Sequence, residues 1–515
     1  MIISLSVLVI TIIVSGTYAL YKAQLSKNIG VNTTTHGLAY YINYVKGTDI
    51  TAATLNPSTS YEGGASSDIE FWKKDDSHDI YGKIELTVNT IGTNLSNSPA
   101  LKYAVVNNGN VLKEGSLKGT TSGSKVTILK NLYLEQTKQI YTVYVWLDNS
   151  EELGNISNES LSISVDCTAS LQKEPTAADT IISLYTSAAK VTATNNSITY
   201  NTAPSVSLMN DRLGGTTTSL DGGNIRYYGA SPNNYIYFNC SDYSNQTSST
   251  CETWRIIGVF DGKLKLIKGS QIGTYSWDNK NTSTGAENNS GKNDWTTARL
   301  MKLLNPVDYY INDNNDKDSE GNYLGYSLYY NSTSGKCYSG KNNATVDCDF
   351  TSTGIKNDET RNMIAETTYN LGGWNTFTVY PNEIYEYERG TTVYTGRLPT
   401  WTGKIALAYP SDYGYAADLN QCVNKQLNKY NDSTCTSNNW MKSIITNNGS
   451  NDGWLLTPHS NYSYIAWGVI LSGIMVGNHA YYSSYGSAPV LYLSSELGIE
   501  SGGDGSSSNP YKLSA

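Results

Sequence analysis

Side chains that could do chemistry are few and scattered along the 515 residues. The four histidines are His36, His78, His459 and His479, and their spacing matches no zinc-binding pattern. Carboxylates that could serve as an acid and base pair include Asp261, Asp294, Glu366, Asp412 and Asp452, yet nothing in their positions selects two of them. Glu383, Glu386 and Glu388 cluster in PNEIYEYERG and read as a solvated loop or strand face. There is no GxSxG nucleophile elbow, no HExxH and no GxGxxG following a strand. The nearest phosphate-loop look-alike, residues 285–293 (GAENNSGKN), has five residues between Gly285 and Gly291, and Asn293 stands where Ser or Thr is required. Residues 501–511 (SGGDGSSSNPY) lack the ligand order of a calcium loop and read as a hairpin turn. The expectation is a non-enzymatic chain with no catalytic residue, metal or cofactor.

Seven cysteines remain, and six fall in close pairs: Cys240 with Cys251, Cys337 with Cys348, and Cys422 with Cys435. In an exported protein local pairs of this kind predict three disulfide-closed loops, although six cysteines allow 15 connectivities. Cys167 is left free or pairs outside the chain. Neither a CxxC zinc knuckle nor a redox motif is present.

One stretch is anomalous. Residues 453–495 contain no Asp, Glu, Lys or Arg, where the chain's 16% charge frequency would place about seven. Part of it, AWGVILSGIMVG and APVLYL, is apolar enough for core strands. The connecting pieces HSNYSYI (459–465) and GNHAYYSSYGS (477–487) instead have the composition of recognition loops. In such loops Tyr gives contact area at low entropy cost, and Ser, Asn and Gly give adaptable hydrogen bonds. Ordinary tyrosine-rich loops are the competing reading. The candidate ligand-binding residues are His459, Asn461, Tyr462, Tyr464, Asn478, His479, Tyr481, Tyr482 and Tyr485.

The elements that must position these residues follow from pattern and composition. Net charge is −9 and only 16% of residues are charged, which argues against nucleic acid as a partner. Aromatic usage is skewed, with 42 Tyr and 10 Trp against 5 Phe, and reads as a surface-active composition. Residues 1–21 are uncharged and apolar, followed by small residues. They fit either a signal cleaved near Ala19 or an uncleaved anchor that would tie the chain to the membrane. From 22 to 171, short alternating runs such as KIELTV (83–88), LKYAVV (101–106), IYTVYVWL (140–147) and LSISV (161–165) predict an all-β sandwich. Residues 172–210 read as a linker with one short helix behind an Asp179 cap. Residues 211–515 read as an α+β domain, with two helices predicted in DWTTARLMKLLNP and in NDETRNMIAETTYNLGG. No fixed-period repeat argues for a solenoid or propeller.

Two resemblances bear on function. GTYALYKA, YTVYVWLDNS and SLSISVDCTAS resemble the camelysin and TasA-type exported proteins of Gram-positive bacteria. That implies an Ig-like or jelly-roll sandwich, export, and in some members self-assembly into surface fibres. The series TWRIIGVFDGKLKLI, YSWDNKN, NDWTTARLMKLLN, TGKIALAYPSDYGYA, GWLLTP, AWGVILSG and APVLYLSSELG is similar to a family of surface proteins of gut Gram-positive bacteria. Its C-terminal part is similar to the C-type-lectin-like fold of formylglycine-generating-enzyme-like domains and of variable proteins of diversity-generating retroelements. The similarity implies a ligand-binding domain displaying residues between GWLLTP and APVLYL. In 459–487, only Trp467 and Met475 fall outside the residue set that adenine randomisation of AAC-type codons yields. The calcium-lectin motifs Glu-Pro-Asn and Trp-Asn-Asp do not occur, and the last cysteine is Cys435, too early for the formylglycine oxidase pair. The expected function is therefore an extracellular, cell-surface adhesin. It binds a protein or glycan ligand on a host, phage or bacterial surface. A fibre or biofilm-matrix subunit is the alternative, and a glycan-acting enzyme the second alternative.

Overall fold

The structure is a computed structural model that describes residues 23–25, 41–51, 55–151, 153, 155–156, 159–196, 198–211, 223–279, 289–310, 314–339 and 344–514. The signal or anchor expected over residues 1–21 lies outside the described residues, as does His36. Among the described residues no helix is long and apolar enough to cross a membrane. The chain divides after Glu174 into two compact units, both built mainly of antiparallel sheet.

In the N-terminal unit the predicted strands form two sheets. One runs in the order Ala23–Leu25, Leu161–Ser170, Tyr81–Ile91, Lys125–Tyr133; the other Ile42–Val45, Ala65–Lys73, Ile140–Asp148, Leu101–Asn107, Asn110–Ser116. Side chains alternate between faces along a strand, so one-sided burial requires a period of two. Ala65–Lys73 shows it throughout, and Tyr81–Ile91 shows it as far as Val88. Ile84, Leu86, Val88, Ile163 and Val165 from one sheet share a core with Ile69, Phe71, Val143 and Val145 from the other. Two antiparallel sheets around one core make a β-sandwich.

The C-terminal unit begins at Pro175, and from there on the stretch expected as a linker belongs to it. Helix Ala177–Ser187 buries Ile181 and Tyr185, and strands Val191–Asn195, Ile198–Ala203 and Leu208–Asn210 form one edge of a nine-stranded sheet. The helix is capped by Thr176 rather than Asp179. Asp179 sits at the third helical position and accepts from the Thr176 N–H, closing a capping box. At the centre of that sheet Glu252–Phe260 pairs with Lys263–Lys268 across Asp261 and Gly262, both left-handed, as a two-residue hairpin requires.

Two predicted helices are shorter than expected. DWTTARLMKLLNP gives a 3-10 turn behind the Asp294 cap and helix Arg299–Leu304. Asp358–Met363 starts on the Asn357 cap but stops early, because Ile364 and Ala365 pair with Leu493 and Tyr492, and Thr367–Asn370 becomes a strand. PNEIYEYERG, expected as a solvated loop or strand face, is helix Pro381–Glu388 with Ile384 and Glu388 buried. Residues 501–511 do form the loop of a hairpin between Gly498–Ile499 and Leu513–Ser514.

Candidate functional site

The charge-free segment supplies a separate three-stranded antiparallel sheet of Gly453–Pro458, Ile465–Val469 and Met475–His479. Every residue of the first strand is buried, which accounts for the absence of charge there. Register sets the geometry at one end. The His459 N–H donates to the Ile465 carbonyl at 2.9 Å, and Ile465 lies opposite His479. The loop after the first strand and the segment after the third therefore meet at the same rim. Seven of the nine predicted ligand-binding residues lie on these two pieces, and Asn478 and His479 end the third strand beside them.

Their seven aromatic rings form one continuous array. From buried Trp467 the ring contacts run to His459 (5.2 Å between centroids), Tyr462 (4.9 Å), Tyr464 (5.8 Å) and His479 (5.0 Å). His479 meets Tyr481 at 5.7 Å and Tyr482 at 5.6 Å, and Tyr482 leads through Tyr485 to buried Trp454. The two asparagines are tied in: Asn478 donates to the Tyr485 hydroxyl, and the Asn461 N–H donates to His459 Nδ1 at 3.1 Å. Tyr462 is 48% exposed, Asn461 is exposed, and Tyr464, Asn478, His479, Tyr481 and Tyr482 are half-buried. His459 and Tyr485 are only 6% and 3% exposed and lie beneath the others, so they support the surface rather than present it.

Residues outside the segment hold the array in place. Asn293, 1% exposed, aims its amide nitrogen at three carbonyls of the first loop: His459 (3.0 Å), Tyr462 (2.7 Å) and Ile465 (2.9 Å). Its own N–H donates to Ser463. Gly291, two residues earlier, is left-handed, and a Cβ there would lie 3.0 Å from the Tyr481 nitrogen and Ala480 Cβ. The Gly-Lys-Asn that mimicked a phosphate loop is thus a close-packed brace. A second brace is the YSWD stretch, where Tyr275 and Asp278 N–H groups donate to the Tyr485 and Ala480 carbonyls and Ser276 Oγ donates to Tyr481. Trp374, stacked on Tyr387 at 3.5 Å, accepts at its carbonyl from the Ser460 N–H. None of these braces has a signal in local sequence, because each is a contact between segments more than 70 residues apart.

Beneath the rim, burial favours the neutral forms of His459 and Tyr485. Burial holds the His459 imidazole below its ordinary value against a hydrogen bond with the Asn375 backbone. Burial pushes the Tyr485 hydroxyl well up, with Asp452 adding to it. Amphipathic rings suit stacking and hydrogen bonding.

The candidate acid and base residues have other partners. Asp412 is fully buried, accepts from Lys265 and Arg226, and caps the helix that starts at Pro410. Burial would raise its carboxyl, but those two cations hold it low. Asp294 caps a turn, Glu366 accepts from the Tyr309 hydroxyl, Asp452 accepts from the Leu471 N–H, and Asp261 sits exposed in a turn. Glu383 caps its own helix through the Tyr380 N–H. Among the described residues no group of three His, Cys, Asp or Glu could hold a metal ion.

The three local disulfides form as expected, Cys240–Cys251, Cys337–Cys348 and Cys422–Cys435, and Cys167 is free and buried in the sandwich core. Such pairs are the mark of an oxidising, extracellular environment.

No family model matches the chain, and no curated protein matches it. Among solved structures, the chain has a weak likeness to two single-substitution variants of HCR/D. They are 13% and 12% identical, cover 50% and 48% of this chain and 76% and 74% of their own, and superpose with a TM-score of 0.15 each. A likeness of that size carries no inference about this chain.

Proposed function

We propose that the protein is an exported cell-surface adhesin whose C-terminal unit binds a protein or glycan ligand on a host, phage or bacterial surface through the aromatic rim. The observation that carries the reading is the convergence of two separate Tyr, Asn and His segments on one end of one sheet, with the rings in contact and no charge among them. Tyrosine-rich, charge-free surfaces of this kind gain contact area with little side-chain entropy loss. In this reading the sandwich is an Ig-like or jelly-roll stalk and the C-terminal unit is C-type-lectin-like. The rim residues are then the positions a retroelement diversifies. Population sequencing tests that last part: substitutions concentrated at Asn461, Tyr462, Tyr464, Asn478, Tyr481 and Tyr482, beside a reverse transcriptase gene, are expected. Uniform drift would remove diversification from the proposal.

One observation favours a fibre subunit as the second reading. Asn110–Ser116 is an edge strand of the sandwich, with Val111 and Leu112 43% and 40% exposed, and an unpaired apolar edge is a template for strand addition. Filaments seen by electron microscopy, and lost on Val111→Lys, would favour that reading over the adhesin.

A further inference from the structure

Among the described residues three arginines are buried, and they are not alike. Arg226 is held by Asp211 and Asp412, and Arg299 by Asp278 and Asp316. Arg255, 7% exposed, has no carboxylate partner among the described residues. Its Nε donates to the Asn234 side chain, one terminal nitrogen reaches the Pro232 carbonyl at 3.3 Å, and its guanidinium lies 3.7 Å from the Tyr235 ring centroid and 4.8 Å from that of Trp440. Burial pushes it down to about 10, the reverse of the other two. A buried cation without a counter-charge is costly, and ring contacts offset only part of that cost.

Arg255 lines a cleft of about 430 Å³, the size of a small-molecule site. Lys442, half-buried and in no ion pair among the described residues, lines it too, with the hydroxyls of Ser231, Thr436, Ser437 and Ser443. Its walls are fixed in advance. The Trp440 indole donates to the Tyr227 carbonyl at 3.0 Å, the Asn439 amide donates to the Tyr413 carbonyl at 2.9 Å, and the Cys422–Cys435 disulfide immediately precedes Thr436. Lys442 abuts Gly473 in the turn between the second and third strands, at the opposite end of the small sheet from the aromatic rim.

We propose that this cleft is a second binding site, for an acidic saccharide, with the Arg255 and Lys442 cations taking the carboxylate and the surrounding hydroxyls taking the sugar. It stands independently of the aromatic rim. Calorimetric titration of the full-length protein at fixed ionic strength tests it, with glucuronate, acetate and glucose as probes. Glucuronate is expected to bind at one saturable site, at least about tenfold more tightly than acetate or glucose, since charge-assisted pairing and the sugar contacts each contribute. Lys442→Ala should weaken it about tenfold at unchanged thermal stability. Arg255→Gln should abolish it; because that variant removes a buried group, Ser443→Glu, which places a carboxylate in the cleft, is read beside it and should also abolish binding. Equal affinity for glucuronate and acetate would overturn the sugar assignment. Absence of saturable glucuronate binding, or binding that survives both Lys442→Ala and Ser443→Glu, would overturn the site.

Discussion

At the scale of single residues, buried asparagines hold the C-terminal unit together. Asn293 braces the rim, and the same device recurs at Asn195, Asn234, Asn239, Asn305 and Asn439, each 0–5% exposed with its amide on a carbonyl of another segment. Asn293→Asp keeps the size and turns a donor into an anion among three carbonyls. A loss of about 3 kcal/mol in denaturant unfolding is expected, and Asn293→Ala should lose less. An unchanged midpoint for the Asp variant would contradict the brace. Tyrosines serve similarly: Tyr413 and Tyr430 are buried and donate to the Gly473 and Gly414 carbonyls. Among the described residues about half of the tyrosines are buried, so the surface-active reading of composition holds only for the other half. A second residue-scale outcome concerns Glu388, whose carboxyl burial raises to about 7 while Ser411 and Arg389 oppose the shift. The folded chain then keeps a proton that the unfolded chain, with an ordinary carboxyl near 4.5, has released. Stability should fall as pH rises through about 4.5 to 7, by about 3 kcal/mol in full. Thermal midpoints of Glu388→Gln should lack that decline; parallel profiles for the two proteins would show that Glu388 does not titrate in this window.

At the scale of elements, the strands were legible and the braces were not. Alternation identified the sandwich strands, since a half-buried strand writes its two faces into the sequence at period two. The disulfide loops and the meeting of the two aromatic segments follow from local pattern: the cysteines pair within 13 residues, and the aromatic segments lie on adjoining strands. What local pattern missed was set by distant partners. The helix after Asn357 is cut short by pairing with residues 492 and 493, and strands Val191–Asn195, Ile198–Ala203 and Leu208–Asn210 of the expected linker are recruited as a sheet edge. Gly291→Ala tests the closest of these contacts. A left-handed position and a Cβ pressed on Ala480 and Tyr481 together should cost more than about 1 kcal/mol. Chemical shifts of the Tyr481 and Tyr482 rings should move while those of the sandwich stay put; a silent Gly291→Ala would mean that the brace yields freely.

At the scale of the whole molecule, the two units differ in how they are stabilised. All three disulfides lie in the C-terminal unit, whereas the sandwich relies on its apolar core and carries only the buried thiol of Cys167. Reductant should raise backbone hydrogen exchange in residues 175–515 and leave the sandwich protected, since each bridge closes a loop worth about 2 to 4 kcal/mol. The Cys167 thiol should resist iodoacetamide until the chain unfolds, burial having raised it far above its ordinary value. Labelling of the folded chain would contradict the core placement. The account as a whole stands on ligand capture by the aromatic rim. The most direct measurement is binding of the full-length protein to glycan and cell-surface protein arrays, native against Tyr481→Ala/Tyr482→Ala. The account predicts a captured ligand whose affinity drops about a hundredfold in the double variant, as the loss of two central ring contacts would cause. Equal capture by both proteins, at equal thermal stability, would contradict it.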